Sequence, residues 1–148
     1  MSFEEELNIE LLKHSDSAIS LLRRLFENIP SNAREVHIEI FPSQDGDGLF
    51  SVYVSLDGPD LYVLNKSIQE FASIFDPKCI GTKIEPYIPT IDPFDADVGF
   101  DVNDVVVDCA AKWVQLIWSQ IGDLEPSLPV RVFGQDGYGS LTPIDLRK

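Results

Sequence analysis

The chain has 148 residues, of which 44% are hydrophobic and 10% aromatic, a composition that suits one folded domain and excludes an intrinsically disordered chain. Its formal net charge is −14, from 25 acidic and 11 basic residues, so its surface repels nucleic-acid phosphates and anionic lipid headgroups. We therefore expect a single domain over residues 1–148 that binds neither nucleic acid nor a membrane. The charge suits a basic protein partner, a cation or simple solubility.

The amino-terminal half of the chain predicts a helix followed by a hairpin. Residues 4–29 carry one apolar stripe at helical spacing and end at Pro30, with a polar cluster at residues 14–17 where we expect the helix to bend or restart. Residues 35–41 and 49–56 then alternate apolar and polar side chains, which predicts two antiparallel strands with one polar face.

The middle of the chain is less regular. Apolar spacing predicts a second helix over residues 64–75. Four prolines interrupt residues 76–100, where residues 83–88 have the pattern of a short edge strand. An irregular segment of this length is usually functional or partly structured.

A third helix is expected to begin at Asp101 or Asn103 as its N-cap and to end at Gly122. Its residues are apolar on nearly every side, so we expect it to pack at the centre of the domain. The polar residues of this helix form one narrow stripe, which consists of Asp104, Asp108, Lys112, Gln115 and Ser119.

A short motif, Gln-Asp-Gly-x-Gly, occurs twice in the chain. Gln44-Asp45-Gly46-Asp47-Gly48 follows the first strand, and Gln135-Asp136-Gly137-Tyr138-Gly139 follows a similar apolar run near the carboxyl terminus. Asp-Gly between strand-like runs is a strong hairpin signal, because Gly adopts positive φ at low cost. Residues 129–146 therefore predict a second hairpin.

These elements predict an α+β fold with the order helix–hairpin–helix–loop–helix–hairpin. We expect a two-layer sandwich in which three main helices pack on a mostly antiparallel sheet built from the two hairpins. The first residues do not have the basic and apolar pattern of a signal peptide, and Cys79 and Cys109 are isolated rather than arranged as a disulfide framework. Both features favour a cytoplasmic protein.

Residues 100–113, together with residues 132–139 and Thr142-Pro143, resemble an uncharacterised bacterial family of small acidic proteins of unknown function. The resemblance covers most of the chain and implies a bacterial origin and a shared fold, and it supplies no catalytic residues. In size and acidity alone the chain is also similar to immunity proteins that neutralise bacterial toxins, a likeness of type without a motif.

Two groups of residues invite a metal interpretation. Asp95, Asp97 and Asp101 match part of a calcium-loop spacing, but position twelve is Val106 instead of a bidentate Glu. His37 and Glu39 share the polar face of the first strand and could supply two ligands. Neither group is a complete site by sequence, so we expect no resident cofactor or metal.

No motif for nucleophilic catalysis or phosphate binding is present in the chain. We therefore expect a non-enzymatic protein-binding domain, in the manner of an immunity or antitoxin-type inhibitor of a basic protein. Acidic side chains would steer the partner and aromatic side chains would anchor it. The candidate residues are Asp92, Asp95, Asp97, Asp136, Tyr138 and Trp118. The alternatives are a small-ligand or metal-binding domain that uses the His37/Glu39 face, and a purely structural homodimer.

Overall fold

A five-stranded mixed sheet forms the centre of the computed structural model, which describes residues 1–95 and 98–148. The strands are β1 (Glu35–Pro42), β2 (Phe50–Asp57), β3 (Ser73–Phe75), β4 (Lys78–Ile80), β5 (Lys83–Glu85), β6 (Val130–Gly134) and β7 (Ile144–Arg147). The helices are α1 (Phe3–Leu12), α2 (Ser15–Glu27), α3 (Leu61–Lys66) and α4 (Val102–Ile121). The main sheet has the order β3-β2-β1-β6-β7, and β4 and β5 pair separately. The predicted α+β class is confirmed.

Both predicted hairpins form, and they join through a parallel pair of strands. β1 is antiparallel to β2, with Glu35 opposite Asp57, and β6 is antiparallel to β7. β1 is parallel to β6, with His37 level with Arg131. Parallel neighbours need a long crossover connection, which α4 helps to provide. Period-two patterning specifies faces and not strand neighbours, so the sequence did not predict this pairing.

Only one face of the sheet is covered by helices. Val36, Ile38 and Ile40 of β1 are fully buried, whereas the residues between them are only partly buried. On α4, Val106 and Val114 are also fully buried, as expected for a central apolar helix. Burying this surface is the main favourable contribution to folding.

The predicted helix over residues 4–29 is two helices, because the chain restarts at the polar cluster. His14 lies between α1 and α2, and its Nε2 is 2.9 Å from the carbonyl oxygen of Tyr87. One residue later, the buried Ser15 hydroxyl accepts a hydrogen bond of 3.1 Å from the indole N–H of Trp113. The break therefore lets the first turn of α2 bond to α4 and to the segment before residue 88.

The predicted helix over residues 64–75 is wrong beyond its first turn. α3 ends at Lys66, and residues 73–75 form the edge strand β3 against β2. The side chain of Phe75 packs on Trp113, with ring centroids 5.3 Å apart, and is 4% exposed. Sheet pairing and this aromatic contact override the helical spacing of the local sequence.

The short edge strand expected at residues 83–88 forms over residues 83–85 only, as β5. β5 pairs with β4 in the small two-stranded sheet and makes no part of the main one. Ile88, beyond its end, is fully buried in the core. Packing of this side chain takes the place of continued strand pairing.

The connection between β6 and β7 packs on the polar stripe of α4. The Asp104 carboxylate accepts a hydrogen bond of 2.8 Å from the N–H of Gly139. Asp108 accepts from the N–H and hydroxyl of Ser140, at 2.8 and 2.7 Å, and from the N–H of Leu141 at 3.1 Å. The amino-terminal part of this stripe therefore holds the chain between the last two strands.

Replacement of Gly139 by Ala should strongly destabilise the protein. Gly139 has φ +89°, and a Cβ there would lie 2.7 Å from Val107 Cγ1 and 2.9 Å from Asp108 Oδ1. We expect a loss of about 2–4 kcal/mol in the free energy of unfolding from overpacking and backbone strain, measured by urea denaturation.

Gly46→Ala is the matched control, because Gly46 also has positive φ but a Cβ there would meet nothing within 4 Å. Backbone strain alone predicts a loss of about 1–2 kcal/mol. Equal losses for the two variants would contradict the close packing of the β6–β7 connection on α4.

The thiol of Cys109 should not react in the folded protein. Cys109 is 1% exposed, and burial raises its pKa from 9.0 to about 12. A Cys79→Ser variant should therefore show no fast reaction with a thiol-specific dye until it unfolds. Because the unfolded thiol ionises first, this group should also lower stability as pH rises from about 9 towards 12. Rapid labelling of the folded variant would contradict the position of α4.

Candidate functional site

The carboxyl ends of β1 and β6 lie at the same edge of the sheet because the two strands are parallel. The turn at residues 43–49 follows β1, and the connection at residues 135–143 follows β6. Each of these two segments contains one copy of the Gln-Asp-Gly-x-Gly motif. Gly46 and Gly137 have φ +68° and +76°, and Gly48 and Gly139 have φ +92° and +89°. The matched glycines of the two copies thus share positive φ, whereas Asp136 of the second copy has positive φ and Asp45 of the first does not.

Two further segments close around this edge. The N–H of Ile91 donates to the Asp47 carbonyl at 2.8 Å, which places the chain before α4 beside the first turn. The ring of Phe3, at the start of α1, lies against Gly48 and stacks on Phe100 with centroids 6.2 Å apart. The amino termini of α1 and α4 therefore meet at the end of the sheet where β1 and β6 finish.

Acidic side chains are concentrated on these segments, and we call this region the acidic end. Its described carboxylates are those of Glu4, Glu5, Glu6, Asp45, Asp47, Asp92, Asp95, Asp101, Asp104, Asp108 and Asp136. No Lys or Arg occurs in the sequence between Lys83 and Lys112, and Lys112 Nζ lies 3.9 Å from Glu4. The tertiary structure thus gathers charge that is scattered along the chain.

Some of these carboxylates have structural partners. Asp101 is the N-cap of α4 and accepts from the N–H of Asp104 at 3.1 Å, which confirms one of the two expected caps. Asp47 accepts from the N–H of Leu49 at 3.0 Å within the first turn. Negative charge at the amino terminus of a helix is stabilised by the helix dipole. Part of the acidity therefore belongs to folding.

The acidic candidates from the sequence lie on exposed loops at this end. Asp92 and Asp95 are exposed in the segment before α4, and Asp136 is exposed in the connection after β6. Asp97 lies outside the described residues. The candidate calcium spacing at Asp95, Asp97 and Asp101 includes that position, and Asp101 is already a helix cap.

The two aromatic candidates protrude less than a partner anchor would. Tyr138 is half-buried and packs against the core. Trp118 is half-buried near the other end of α4, about 24 Å from its first residue at 1.5 Å per residue. Trp118 packs on Phe26 and beneath the guanidinium of Arg147, 5.4 Å from its ring centroid.

Arg147 explains why Trp118 is held in place. Its guanidinium donates hydrogen bonds of 2.8–3.0 Å to the carbonyls of Leu124, Pro126 and Leu128. This side chain thus joins β7 to the segment that follows α4. The contacts place Trp118 in the packing between these elements and away from the acidic end.

The sequence analysis did not single out Phe94, which is 92% exposed. It lies between Asp92 and Asp95, and its N–H donates to the Asp92 carboxylate at 2.9 Å. An aromatic residue directly after Pro93, with Asp92 and Asp95 on either side, was the available signal. Of the large apolar side chains that the structure describes, that of Phe94 is the most exposed.

The uncovered face of the sheet carries the second candidate group. His37 and Glu39 both lie on it, as predicted, with Tyr53 opposite Glu39 on β2. Among the described residues, the group arranged to hold a metal ion contains His37 with Glu35 and Asp57. Asp57 was missed because strand register, which the sequence does not give, places it opposite Glu35. Glu35 lies two residues before His37, so the alternation of the strand was a signal that could have found it.

Three side chains of the types used in nucleophilic catalysis have structural roles. The Cys109 thiol is buried and its pKa is raised by desolvation. Ser15 accepts from Trp113, and His14 bonds to the Tyr87 carbonyl. These contacts hold Cys109, Ser15 and His14 within the packing of the helices.

The comparisons with known proteins give a family and no activity. Within the described parts of the chain, every helix is too short or too polar to cross a lipid bilayer. Neither a curated protein nor a solved structure matches the chain. One family model matches residues 1–148, in agreement with the resemblance to an uncharacterised family. The chain belongs to the family of unknown function DUF6389.

Proposed function

We infer that the protein is a non-enzymatic binding protein whose acidic end receives a basic segment of a protein partner. The observation that carries this proposal is the convergence of four acidic segments at one edge of the sheet. The carboxylates come from the first turn of α1, the turn after β1, the segment before α4 and the connection after β6. Each segment alone would be an ordinary solvated surface.

Electrostatic complementarity supports a cationic partner. A surface lined by one sign of charge raises the association rate of an oppositely charged protein by long-range attraction. Asp45, Asp92 and Asp136 are exposed at the acidic end, and the net charge of −14 adds to the same field. Such a complex should weaken as salt screens the attraction.

Phe94 supplies the apolar contact that electrostatics alone does not. Aromatic residues buried at the centre of an interface often account for much of the binding free energy. With Asp92 and Asp95 on either side, the ring of Phe94 could pack against the stems of Lys or Arg while the carboxylates meet their charges.

The acidic end has a rigid base, which favours tight binding. Asp104 and Asp108 fix the connection after β6 through hydrogen bonds to its backbone. The carbonyl of Asp47 holds the segment near Ile91. A preorganised surface loses less conformational entropy when it binds.

The size and acidity of the chain suit an inhibitor that covers the active surface of a basic protein. The likeness to toxin-immunity proteins is one of type, and it supports this role by analogy alone. In this role the protein acts by occlusion, so it needs no catalytic residue of its own.

The charges of Asp92 and Asp95 should govern how fast the partner binds. We expect Asp92→Asn/Asp95→Asn to slow association about three- to ten-fold at low salt and to change dissociation little. Phe94→Ala should instead speed dissociation. The partner is first captured from host lysate by the native chain and eluted with a salt gradient, and rates are then measured with purified proteins.

Asp123→Asn/Glu125→Gln is the matched control, because it removes the same charge beyond the carboxyl end of α4, where both residues are exposed. This variant should bind at nearly the native rate. If both variants slow association equally, the slowing comes from the change in net charge and not from the position of Asp92 and Asp95. If no basic protein is retained, or if the Asp92/Asp95 variant binds like the native chain, the proposal fails.

A further inference from the structure

Three potential metal ligands meet at the amino end of β1, on the uncovered face of the sheet. Glu35 and His37 are two residues apart on β1 and therefore point to the same side. Asp57 is directly opposite Glu35 on β2. One ligand atom from each lies within 4.8 Å of the others, and His37 Nε2 is 3.1 Å from Glu35 Oε1.

This arrangement places two carboxylates at opposed positions of an antiparallel pair, where like charges repel. The nearest guanidinium is that of Arg131, with Nε 3.7 Å from Glu35 Oε1. The same Nε donates to Asp145 at 2.7 Å, so its charge is shared with a third carboxylate. The group has a deficit of positive charge, which a bound cation would correct.

The donor set indicates the class of cation. One imidazole nitrogen with two carboxylate oxygens suits Zn²⁺, which takes His and Asp or Glu at about 2.0–2.2 Å. Ca²⁺ and Mg²⁺ prefer ligand shells made of oxygen alone. Three protein ligands are enough for zinc, with the fourth position left to water.

The surroundings hold two of the three ligands, Glu35 and His37, whereas Asp57 is exposed at the end of β2. Glu35 and His37 retain 26% and 28% side-chain exposure, so both are half-buried yet reachable from solvent. The His37 ring packs on the ring of Phe133 on β6 in a T-shaped arrangement, with centroids 5.1 Å apart and planes at 76°. Ligands on paired strands are positioned more firmly than ligands on loops. Small side-chain rotations would bring the three donor atoms to metal–ligand distance from one zinc ion.

We propose that Glu35, His37 and Asp57 form a binding site for a divalent transition-metal ion, with Zn²⁺ the best match. The site lies at the opposite end of β1 from the acidic end, since Glu35 begins the strand and Pro42 ends it. It is therefore independent of the proposed protein-binding surface, and either proposal can fail without the other.

The test is titration of the untagged, chelator-treated protein with ZnCl2 in 0.3 M NaCl, a concentration of about that size being chosen to suppress loose association with the acidic end. Isothermal calorimetry should give one saturable zinc ion per chain. Saturating zinc should raise the unfolding midpoint by about 5–10 °C. CaCl2 and MgCl2 should not.

His37→Gln should weaken zinc binding at least ten-fold, whereas His14→Gln should leave it unchanged, since these are the two histidines of the chain. Asp57→Asn should affect the unfolding midpoint in opposite directions without and with zinc. Without metal it should raise the unfolding midpoint by about 1–3 °C by relieving repulsion, and with zinc it should lose most of the metal-dependent rise.

Two results would overturn the proposal. The first is the absence of saturable zinc binding by the native chain. The second is native-like zinc binding by a folded His37→Gln variant, which would assign the ion to scattered surface carboxylates.

Discussion

The parallel pairing of β1 with β6 is the constraint on which the rest of the structure depends. It joins the two hairpins into one sheet and requires the long connection in which α4 packs across the covered face. It also brings the two copies of the Gln-Asp-Gly-x-Gly motif to the same end of the sheet. On the uncovered face it sets Arg131 and Phe133 beside His37 and Glu39. This pairing therefore forms the acidic end and sets Arg131 beside the metal-ligand group, whereas Asp57 is placed by the pairing of β1 with β2.

Carboxylates of the same chemical type serve different purposes in this protein. Asp104 and Asp108 accept hydrogen bonds from backbone N–H groups and hold the connection after β6. Asp101 caps α4. Asp92 and Asp136 lie exposed and contribute mainly to the external field. The net charge is thus partly a consequence of how helix ends and loops are stabilised, and only the exposed share is available for a partner.

Local patterns predicted the elements whose stability is local. The two hairpins, the Asp101 cap and the end of α4 at Gly122 all follow from side-chain alternation, capping and backbone freedom. The helix over residues 64–75 failed for the opposite reason. Its apolar spacing is helical, but β3 gains sheet hydrogen bonds from β2 and buries Phe75 against Trp113. Such long-range contacts have no trace in a local window.

The sequence by itself determined the α+β class, the polar face with His37 and Glu39, and the excess of acidic residues. The tertiary structure alone decided the register of β1 on β2, which sets Asp57 opposite Glu35. It also decided the pairing of β1 with β6, through which Asp45, Asp92 and Asp136 share one end. It also placed Trp118 beneath Arg147 and left Phe94 exposed. The physical reason is that periodicity fixes the direction of each side chain, whereas proximity depends on register and packing between distant segments.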